Sequence, residues 1–145
     1  MIVVDTSVFI DAIFKFDEGR NKKANTFFRI LQQNMIPVME PEIFKIELVG
    51  QLSRRMRKDE TLTLYKLIVE KVNVIDTKEL KEMAFSIAFE TGCRAIDSFY
   101  IAASKIRDSI LVSNDRTQVR SAKNFGVEAY HLIEDFEVLI KGISF

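Results

Sequence analysis

The stretch Met1-Ile-Val-Val-Asp-Thr-Ser-Val-Phe-Ile-Asp11 decides the fold of this chain. Residues 2–4 form a β-branched run that ends at Asp5, and Thr6 and Ser7 then offer N-cap hydroxyls to an apolar segment. This pattern predicts a strand, an acid and a helix in direct succession. Ligands bind outside the carboxyl ends of the strands in open α/β sheets, so Asp5 marks a candidate active site. Asp5 could also do no more than cap the helix, because Asp is a preferred N-cap.

The composition is that of a globular protein. With 145 residues, 48% of them hydrophobic and 29% charged, the chain suits one domain over residues 1–145. No segment approaches the roughly 20 apolar residues of a membrane span, and no basic region precedes an apolar stretch at the N-terminus. We therefore expect a soluble cytoplasmic protein with no membrane association. Cys93 and His131 are the only residues of their kinds, which excludes a zinc centre built from several cysteines or histidines.

The charge balance excludes a broad positive field, because 21 basic residues face 21 acidic ones. Any contact with nucleic acid must therefore be local. The densest basic stretch is Gln51–Lys58, with four cations in five positions. A solvated helix end is the common meaning of such a run, and phosphate contact is the alternative.

The rest of the chain alternates strand-like and helix-like segments. A second strand is predicted over 35–39, where Pro37 restricts it to a sheet edge or a strand start. Glu40-Pro-Glu42 is predicted to open the third helix, since Pro favours the first helical position. Further strands are predicted over 72–76, 109–113 and 127–130, and further helices over 8–16, 21–34, 61–71, 77–90, 95–107, 116–125 and 133–140. Such alternation predicts a parallel sheet with helices on both faces.

Two acids follow predicted strands in the same way. Asp5 ends the first strand, and Asp115 follows the apolar run 110–112. If those two strands are neighbours, both carboxylates lie on one edge of the sheet. The alternative for Asp115 is an ordinary turn residue beside Asn114.

Two further acids lie in apolar surroundings on predicted helices. Glu47 follows Ile43 and Phe44 at helical spacing, so its carboxylate is predicted to lie against the core. A buried charge must shift its pKa, pair with a cation or bind a metal, and pairing with Arg54 would make Glu47 purely structural. Asp97 precedes an apolar turn, and it could be an N-cap, although Ala95 and Ile96 indicate that the helix has already begun.

Convergence of these four carboxylates would decide the chemistry. Two unit charges about 5 Å apart at an effective dielectric of about 20 repel by roughly 3 kcal/mol. Such repulsion requires protonation or a divalent cation, and oxygen ligands without Cys or His select Mg²⁺ or Mn²⁺. Ions of this kind bridge a phosphate, activate water and stabilise the leaving oxygen. The acids therefore predict phosphodiester hydrolysis.

Four stretches together resemble the PIN-domain family of nucleases, and within it the small VapC-type ribonuclease toxins. They are Ile2–Ile10, Pro41–Leu48, Ala95–Ala103 and Leu111–Arg116. Their order and spacing suit the family across essentially the whole chain. The resemblance implies a flavodoxin-like, three-layer α/β/α fold with a central parallel sheet. It also implies an endoribonuclease that uses Mg²⁺ or Mn²⁺ to cleave single-stranded RNA.

The resemblance also assigns roles to residues. Asp5, Glu47, Asp97 and Asp115 match the acidic quartet of the family, which holds the metal. Thr6, Ser7 and Ser113 match polar residues that would orient these carboxylates or water. Arg94 and Arg116 lie beside proposed ligands and could hold a substrate phosphate, with structural ion pairing as the alternative. Toxin members are usually homodimers held by an antitoxin, so the implied partners are RNA, an antitoxin and a second copy. Asp108 departs from the family, which often has Gly there. Asp11 matches no metal ligand and is interpreted as a solvated or helix-end acid.

Three other functions remain alternatives. The chain could be a PIN domain of RNA processing outside any toxin pair, or a silent module that binds RNA or protein without turnover. A phospho-acceptor signalling domain of similar fold would use Asp5 as acceptor, but it needs a Lys after a late strand. The segment 127–131 contains no Lys, which disfavours that function.

Overall fold

The computed structural model describes residues 1–144, and Phe145, the last residue of the predicted domain, lies outside the described residues. Its five strands are β1 (Ile2–Val4), β2 (Val38–Pro41), β3 (Asn73–Ile75), β4 (Ile110–Ser113) and β5 (Ala129–His131). They form one sheet in the order β3-β2-β1-β4-β5, and every pairing is parallel. The predicted α/β fold with a central parallel sheet is confirmed.

The helices cover both faces of this sheet. They are α1 (Thr6–Ile13), α2 (Glu18–Gln33), α3 (Ile43–Ser53), α4 (Lys58–Val69), α5 (Thr77–Thr91), α6 (Ala95–Ile106), α7 (Arg116–Asn124) and α8 (Phe136–Ile143). Helix α6 packs on β1, β2 and β4 and against α5, whereas α1 packs against α2 and α3. The chain runs from β1 to β3 in one direction along the sheet, and helices α1 to α4 connect these strands. It then runs from β3 to β4 and β5 in the other direction, and helices α5 to α7 connect these strands. Right-handed crossovers therefore place these two groups of helices on opposite faces of the sheet. Within residues 1–144, no helix has the length and apolar character needed to cross a membrane.

The neighbouring strands β1 and β4 are apolar except for Ser113 at the end of β4. Val3 and Val4 of β1 and Leu111 and Val112 of β4 have no exposed surface, as expected for strands covered on both faces. The register pairs Val4 with Val112. The residues that follow β1 and β4 therefore emerge side by side at the carboxyl edge of the sheet.

The second strand is shifted from its predicted position. It begins after Pro37 and includes Glu40 and Pro41, so the prediction that Glu40 opens a helix is wrong, and α3 begins at Ile43. Strand β2 also lies inside the sheet, between β1 and β3, and not at an edge. The two prolines are tolerated because one precedes the strand and the other ends it. Because Glu40 belongs to β2 and not to a helix, its side chain lies in the buried interior.

Gly92 and Asp108 are two of the four described residues with a left-handed backbone conformation. Gly92 ends α5 with φ +70°, as glycine commonly does after a helix. Asp108, in the turn before β4, has φ +48°, and Asp is one of the few residues with a side chain that tolerates this conformation. Asp108 therefore forms a turn at which the PIN-domain family, which the sequence resembles, often has Gly.

Candidate active site

The four predicted acids come together at the carboxyl edge of the sheet. Asp5 follows β1, Asp115 follows β4, Glu47 lies in the middle of α3 and Asp97 lies in the first turn of α6. Asp5, Glu47 and Asp115 line one cavity of about 390 Å³. Asp97 is joined to the cavity through Arg94, which also lines it. Because β1 and β4 are neighbours, the predicted approach of Asp5 and Asp115 follows directly from the topology.

Asp5 is buried, with 8% of its surface exposed. One carboxylate oxygen accepts a hydrogen bond from the backbone N–H of Ser7 at 3.0 Å, and the other accepts from the Gln118 amide at 3.1 Å. Burial, followed by the negative charge of Glu47, raises the pKa of Asp5. Asp5 therefore caps α1 and also presents a desolvated carboxyl to the cavity.

Arg94 bridges two of the acids. Its guanidinium donates to Asp97 at 3.2 Å and to Asp115 at 3.0 Å. Burial raises the pKa of Asp97, and Arg94 opposes that rise, while Asp5 and Asp115 add to it. Arg94 is thus the positive charge that the structure places among the acids.

Glu47 is fixed by a chain of hydroxyls. The phenol of Tyr100 donates to Glu47 at 2.7 Å and lies 2.6 Å from the Thr6 hydroxyl. Since the single phenolic proton goes to Glu47, Thr6 donates to Tyr100. Burial and the surrounding carboxylates hold the pKa of Tyr100 well above its usual range, so Tyr100 remains a donor. No ion pair joins Glu47 to Arg54 within residues 1–144.

The other polar residues suggested by the sequence hold the backbone around the acids. The Ser7 hydroxyl accepts from the backbone N–H of Asn114 at 3.0 Å, and the Ser113 hydroxyl accepts from the N–H of Asp115 at 3.0 Å. Together they tie the start of α1 to the segment after β4. Asp11, interpreted from the sequence as a solvated or helix-end acid, lies near the end of α1. It accepts a hydrogen bond from Asn114 at 2.6 Å and also lines the cavity.

The sequence analysis missed a fifth acid, Glu40. Its side chain is fully buried on β2, and neither carboxyl oxygen has a hydrogen-bond partner within residues 1–144. Burial holds its pKa well above the usual range, and the charges of Asp5 and Glu47 reinforce this. The buried position therefore favours the protonated, neutral form of Glu40 beneath the site.

The donor set fits a divalent cation in its chemistry. Four carboxylates supply hard oxygen ligands of the kind that Mg²⁺ and Mn²⁺ prefer. The charge of Glu47 raises the pKa of Asp5, and the charges of Asp5 and Asp115 raise the pKa of Asp97, as expected where negative charge is not fully compensated. Within the described part of the chain, no three acidic, His or Cys side chains are already gathered closely enough to hold an ion. Arg94 lies between two of the acids instead.

Arg116 is not brought to the cavity. Its guanidinium pairs with Glu134 and lines a separate depression that includes His131. The cations that do line the acidic cavity are Arg20, Arg55 and Arg94. Arg55 comes from the basic stretch 51–58, so one cation of that stretch lies at the site and is not merely a solvated helix end.

Several residues of the site left weak signals in the sequence. Tyr100 stands three positions after Asp97, a spacing that places both on one side of α6. Glu40 stands beside two apolar strand residues, Val38 and Met39. Gln118 reaches Asp5 across 113 positions of sequence, and nothing in its local pattern indicates that contact.

Comparison with solved structures shows the same fold. The DNA-bound VapBC structure from Salmonella typhimurium matches with a TM-score of 0.70 at 14% identity, covering 90% of this chain and 97% of that one. VapBC2 from Rickettsia felis, bound to a DNA fragment from their promoter, matches with a TM-score of 0.69 at 16% identity, covering 90% and 100%. A toxin–antitoxin complex from Klebsiella pneumoniae matches with a TM-score of 0.60 at 14% identity, covering 79% and 87%.

The sequence comparisons give a family but no characterised relative. No curated protein matches the chain. The family model described as PIN domain matches residues 2–124, which is most of the chain. PIN domains are nucleases, and they generally use divalent metals. The parallel sheet, the acids at its carboxyl edge and this match lead to one conclusion: the chain belongs to the PIN domain family.

Proposed function

We propose that this chain is a Mg²⁺- or Mn²⁺-dependent endoribonuclease that cleaves single-stranded RNA and acts as the toxin of a toxin–antitoxin pair. The observation that carries the proposal is the convergence of four carboxylates at the carboxyl edge of the sheet, where three of them line one cavity and Arg94 joins the fourth, Asp97, to it. Two of them, Asp5 and Asp97, are buried. Burying several like charges together is costly unless a cation or a reaction uses them.

Asp5, Glu47, Asp97 and Asp115 would hold the cation. When bound, a divalent cation polarises the phosphate and lowers the pKa of water at the site. Gln118 and the backbone of Ser7 keep Asp5 in place, and Tyr100 keeps Glu47 in place. These contacts orient both carboxylates before substrate arrives.

Arg94 has a second role in this proposal. Its side chain is 75% exposed, although its guanidinium is paired with Asp97 and Asp115. A cation bound among the acids would replace Arg94 as their positive partner. The guanidinium is then available to a substrate phosphate, which arginine binds through two parallel N–H donors.

The toxin role and the partners rest on resemblance. The four sequence motifs resemble VapC-type toxins, and one structural neighbour is titled a toxin–antitoxin complex. These likenesses support an antitoxin partner and a homodimer for this chain. The proposal includes action in the cytoplasm, where RNA is available as a substrate.

Cleavage of labelled single-stranded RNA tests the proposal. We expect purified protein to cut the RNA in Mg²⁺ or Mn²⁺ and to lose activity in EDTA. Asp5→Asn should lower the cleavage rate by more than about 100-fold, above the loss typical for residues that only orient ligands. The matched control is Asp76→Asn. Asp76 also follows a parallel strand and precedes a helix, but it is exposed and its side chain caps nothing.

One observation favours the alternative of a silent binding module. Arg94 already neutralises two acids, as a structural ion pair would. The wild type, freed of any bound protein, is tested on a broad panel of RNA sequences in either metal. If it cuts none of them, the nuclease proposal is wrong and the alternative of a silent binding module is favoured. Equal activity of Asp5→Asn and Asp76→Asn would place the chemistry outside the acidic cavity.

A further inference from the structure

The acidic cavity has a second, aromatic side. Besides the acids, it is lined by Phe16, Gln51 and Arg55. Phe16 lies in the segment between α1 and α2, and Arg55 follows the end of α3. Phe16 is 71% exposed, and it is the aromatic side chain among the residues that line the cavity.

The Phe16 ring is fixed by its neighbours. It stacks on Phe14 with ring centroids 5.5 Å apart and an angle of 14° between the planes, and Phe14 itself packs against the core. The Arg55 guanidinium lies 5.9 Å from the centroid of each ring. Two hydrogen bonds of 2.8 Å to Gln51 hold that guanidinium. The pair of rings is therefore supported from the core and from α3.

The Phe16 side chain is largely open to solvent. The Arg55 guanidinium lies at the same distance from the centroids of both stacked rings. An exposed aromatic ring held next to a cation is the arrangement on which unpaired nucleobases stack.

Arg55 also keeps its charge available. Arg20 pairs with Asp11, and Arg94 pairs with Asp97 and Asp115. Within residues 1–144, Arg55 makes no ion pair, and its hydrogen bonds go to uncharged oxygens of Gln51. Of the three arginines that line the cavity, Arg55 is the one whose charge no carboxylate offsets.

We propose that Phe16 and Arg55 form a subsite for one unpaired nucleotide of the substrate, with the base stacked on the exposed ring of Phe16 and a neighbouring phosphate on Arg55. This inference rests on the proposed ribonuclease function and names the contact that selects single strands. A base inside a duplex has both faces stacked, so it cannot use this surface. The cavity of about 390 Å³ lies within the range of about 300–1,000 Å³ typical of small-ligand sites.

The test measures the affinity for two fluorescent oligomers by anisotropy, in EDTA to prevent cleavage. One is a single-stranded RNA, and the other is its abasic counterpart with the same ribose-phosphate chain. Phe16→Ala should weaken binding of the RNA by about 5- to 150-fold and leave the abasic oligomer unchanged. Phe16→Trp should retain RNA affinity. Arg55→Gln should weaken both oligomers alike and reduce the salt dependence by about one phosphate contact.

Phe85→Ala is the matched control, because Phe85 is 74% exposed on α5 and does not line the cavity. It should bind both oligomers like the wild type. Equal RNA affinity of the wild type and Phe16→Ala would overturn the subsite. If Phe16→Ala instead changes only the sedimentation coefficient, the surface joins two copies of the chain and the subsite is again overturned.

The same assays distinguish a wrong ribonuclease function from a wrong nucleotide subsite. If the wild type neither binds nor cleaves the RNA when Mg²⁺ is added, both the ribonuclease function and the subsite are wrong. If the wild type cleaves while Phe16→Ala binds and cleaves equally well, only the subsite is wrong.

Discussion

Glu40 shows how one residue can be buried without a partner. A carboxylate moved out of water without hydrogen bonds is costly, so the group keeps its proton instead. Both oxygens of Glu40 lack partners within residues 1–144, and Asp5 and Glu47 are close enough to disfavour a further negative charge. The neutral acid lets β2 pass beneath the site without adding to the repulsion there.

Glu40→Gln tests this protonation through the pH dependence of stability. The folded protein holds the Glu40 proton at pH values where the unfolded chain, with its pKa near 4.5, has lost it. The free energy of unfolding of the wild type therefore falls as the pH rises above that value, by up to roughly a tenfold change in the folding equilibrium per pH unit. Glu40→Gln has no carboxyl group to titrate, so its free energy of unfolding does not fall in this way. The difference in free energy of unfolding between Glu40→Gln and the wild type should therefore shift in favour of the variant from pH 5 to pH 8. Urea denaturation in EDTA measures both proteins.

Glu42→Gln is the control with the opposite sign. The backbone N–H of Thr77 donates to Glu42 at 3.1 Å and lowers its pKa. The stability that Glu42 contributes is present above the pKa of the unfolded chain and is lost as the pH falls. A constant difference between Glu40→Gln and the wild type at all pH values would mean that Glu40 is ionised in the folded protein.

The residues that the sequence predicted and those it missed differ in how local their evidence is. Asp5 and Asp115 were predictable because each follows an apolar strand in sequence. Glu40 was misplaced because Pro41 is as compatible with the first turn of a helix as with the last residue of a strand. The Phe16 and Arg55 contact joins segments 39 positions apart, and only the folded chain shows it.

At the scale of elements, the same acids end strands, begin helices and line the cavity. Asp5 caps α1, and Asp115 caps α7 by accepting from the N–H groups of Thr117 at 2.9 Å and Gln118 at 3.3 Å. The positive end of each helix favours a carboxylate there. Asp5 and Asp115 therefore cap helices and also line the cavity, so their capping role and their proposed role in holding a metal need separate tests.

Two substitutions of Asp115 separate the roles. Asn retains a side-chain oxygen that can cap α7 but carries no charge, whereas Ala has neither. We expect Asp115→Ala to be about 1 kcal/mol less stable than Asp115→Asn and both variants to lose RNA cleavage to the same extent. Both also lose the ion pair with Arg94, so that loss cancels. Urea denaturation and the cleavage assay give the two readouts.

The two proposed roles of Asp115, in capping α7 and in RNA cleavage, can be contradicted independently. Cleavage retained by Asp115→Asn would show that the charge is not required and that Asp115 only caps the helix. Equal stability of the two variants would show that the cap contributes nothing measurable.

At the scale of the whole molecule, the net charge of zero conceals a local excess of negative charge. Folding brings four acids to one edge of the sheet, whereas the unfolded chain spreads them over residues 5–115. A divalent cation should therefore bind the folded state far better than the unfolded one. Such preferential binding raises stability by mass action.

Mg²⁺ or Mn²⁺ should thus raise the Tm of the wild type. At about 100 times the dissociation constant the gain is about 2.7 kcal/mol, which corresponds to about 5–10 °C for a domain of this size. Differential scanning calorimetry measures the shift against KCl of equal ionic strength. Asp5→Asn should lose most of the shift, and Asp76→Asn should keep it. A shift that survives in Asp5→Asn places the cation elsewhere, and no shift in the wild type means that Arg94 already satisfies the acids and that the site does not take a metal.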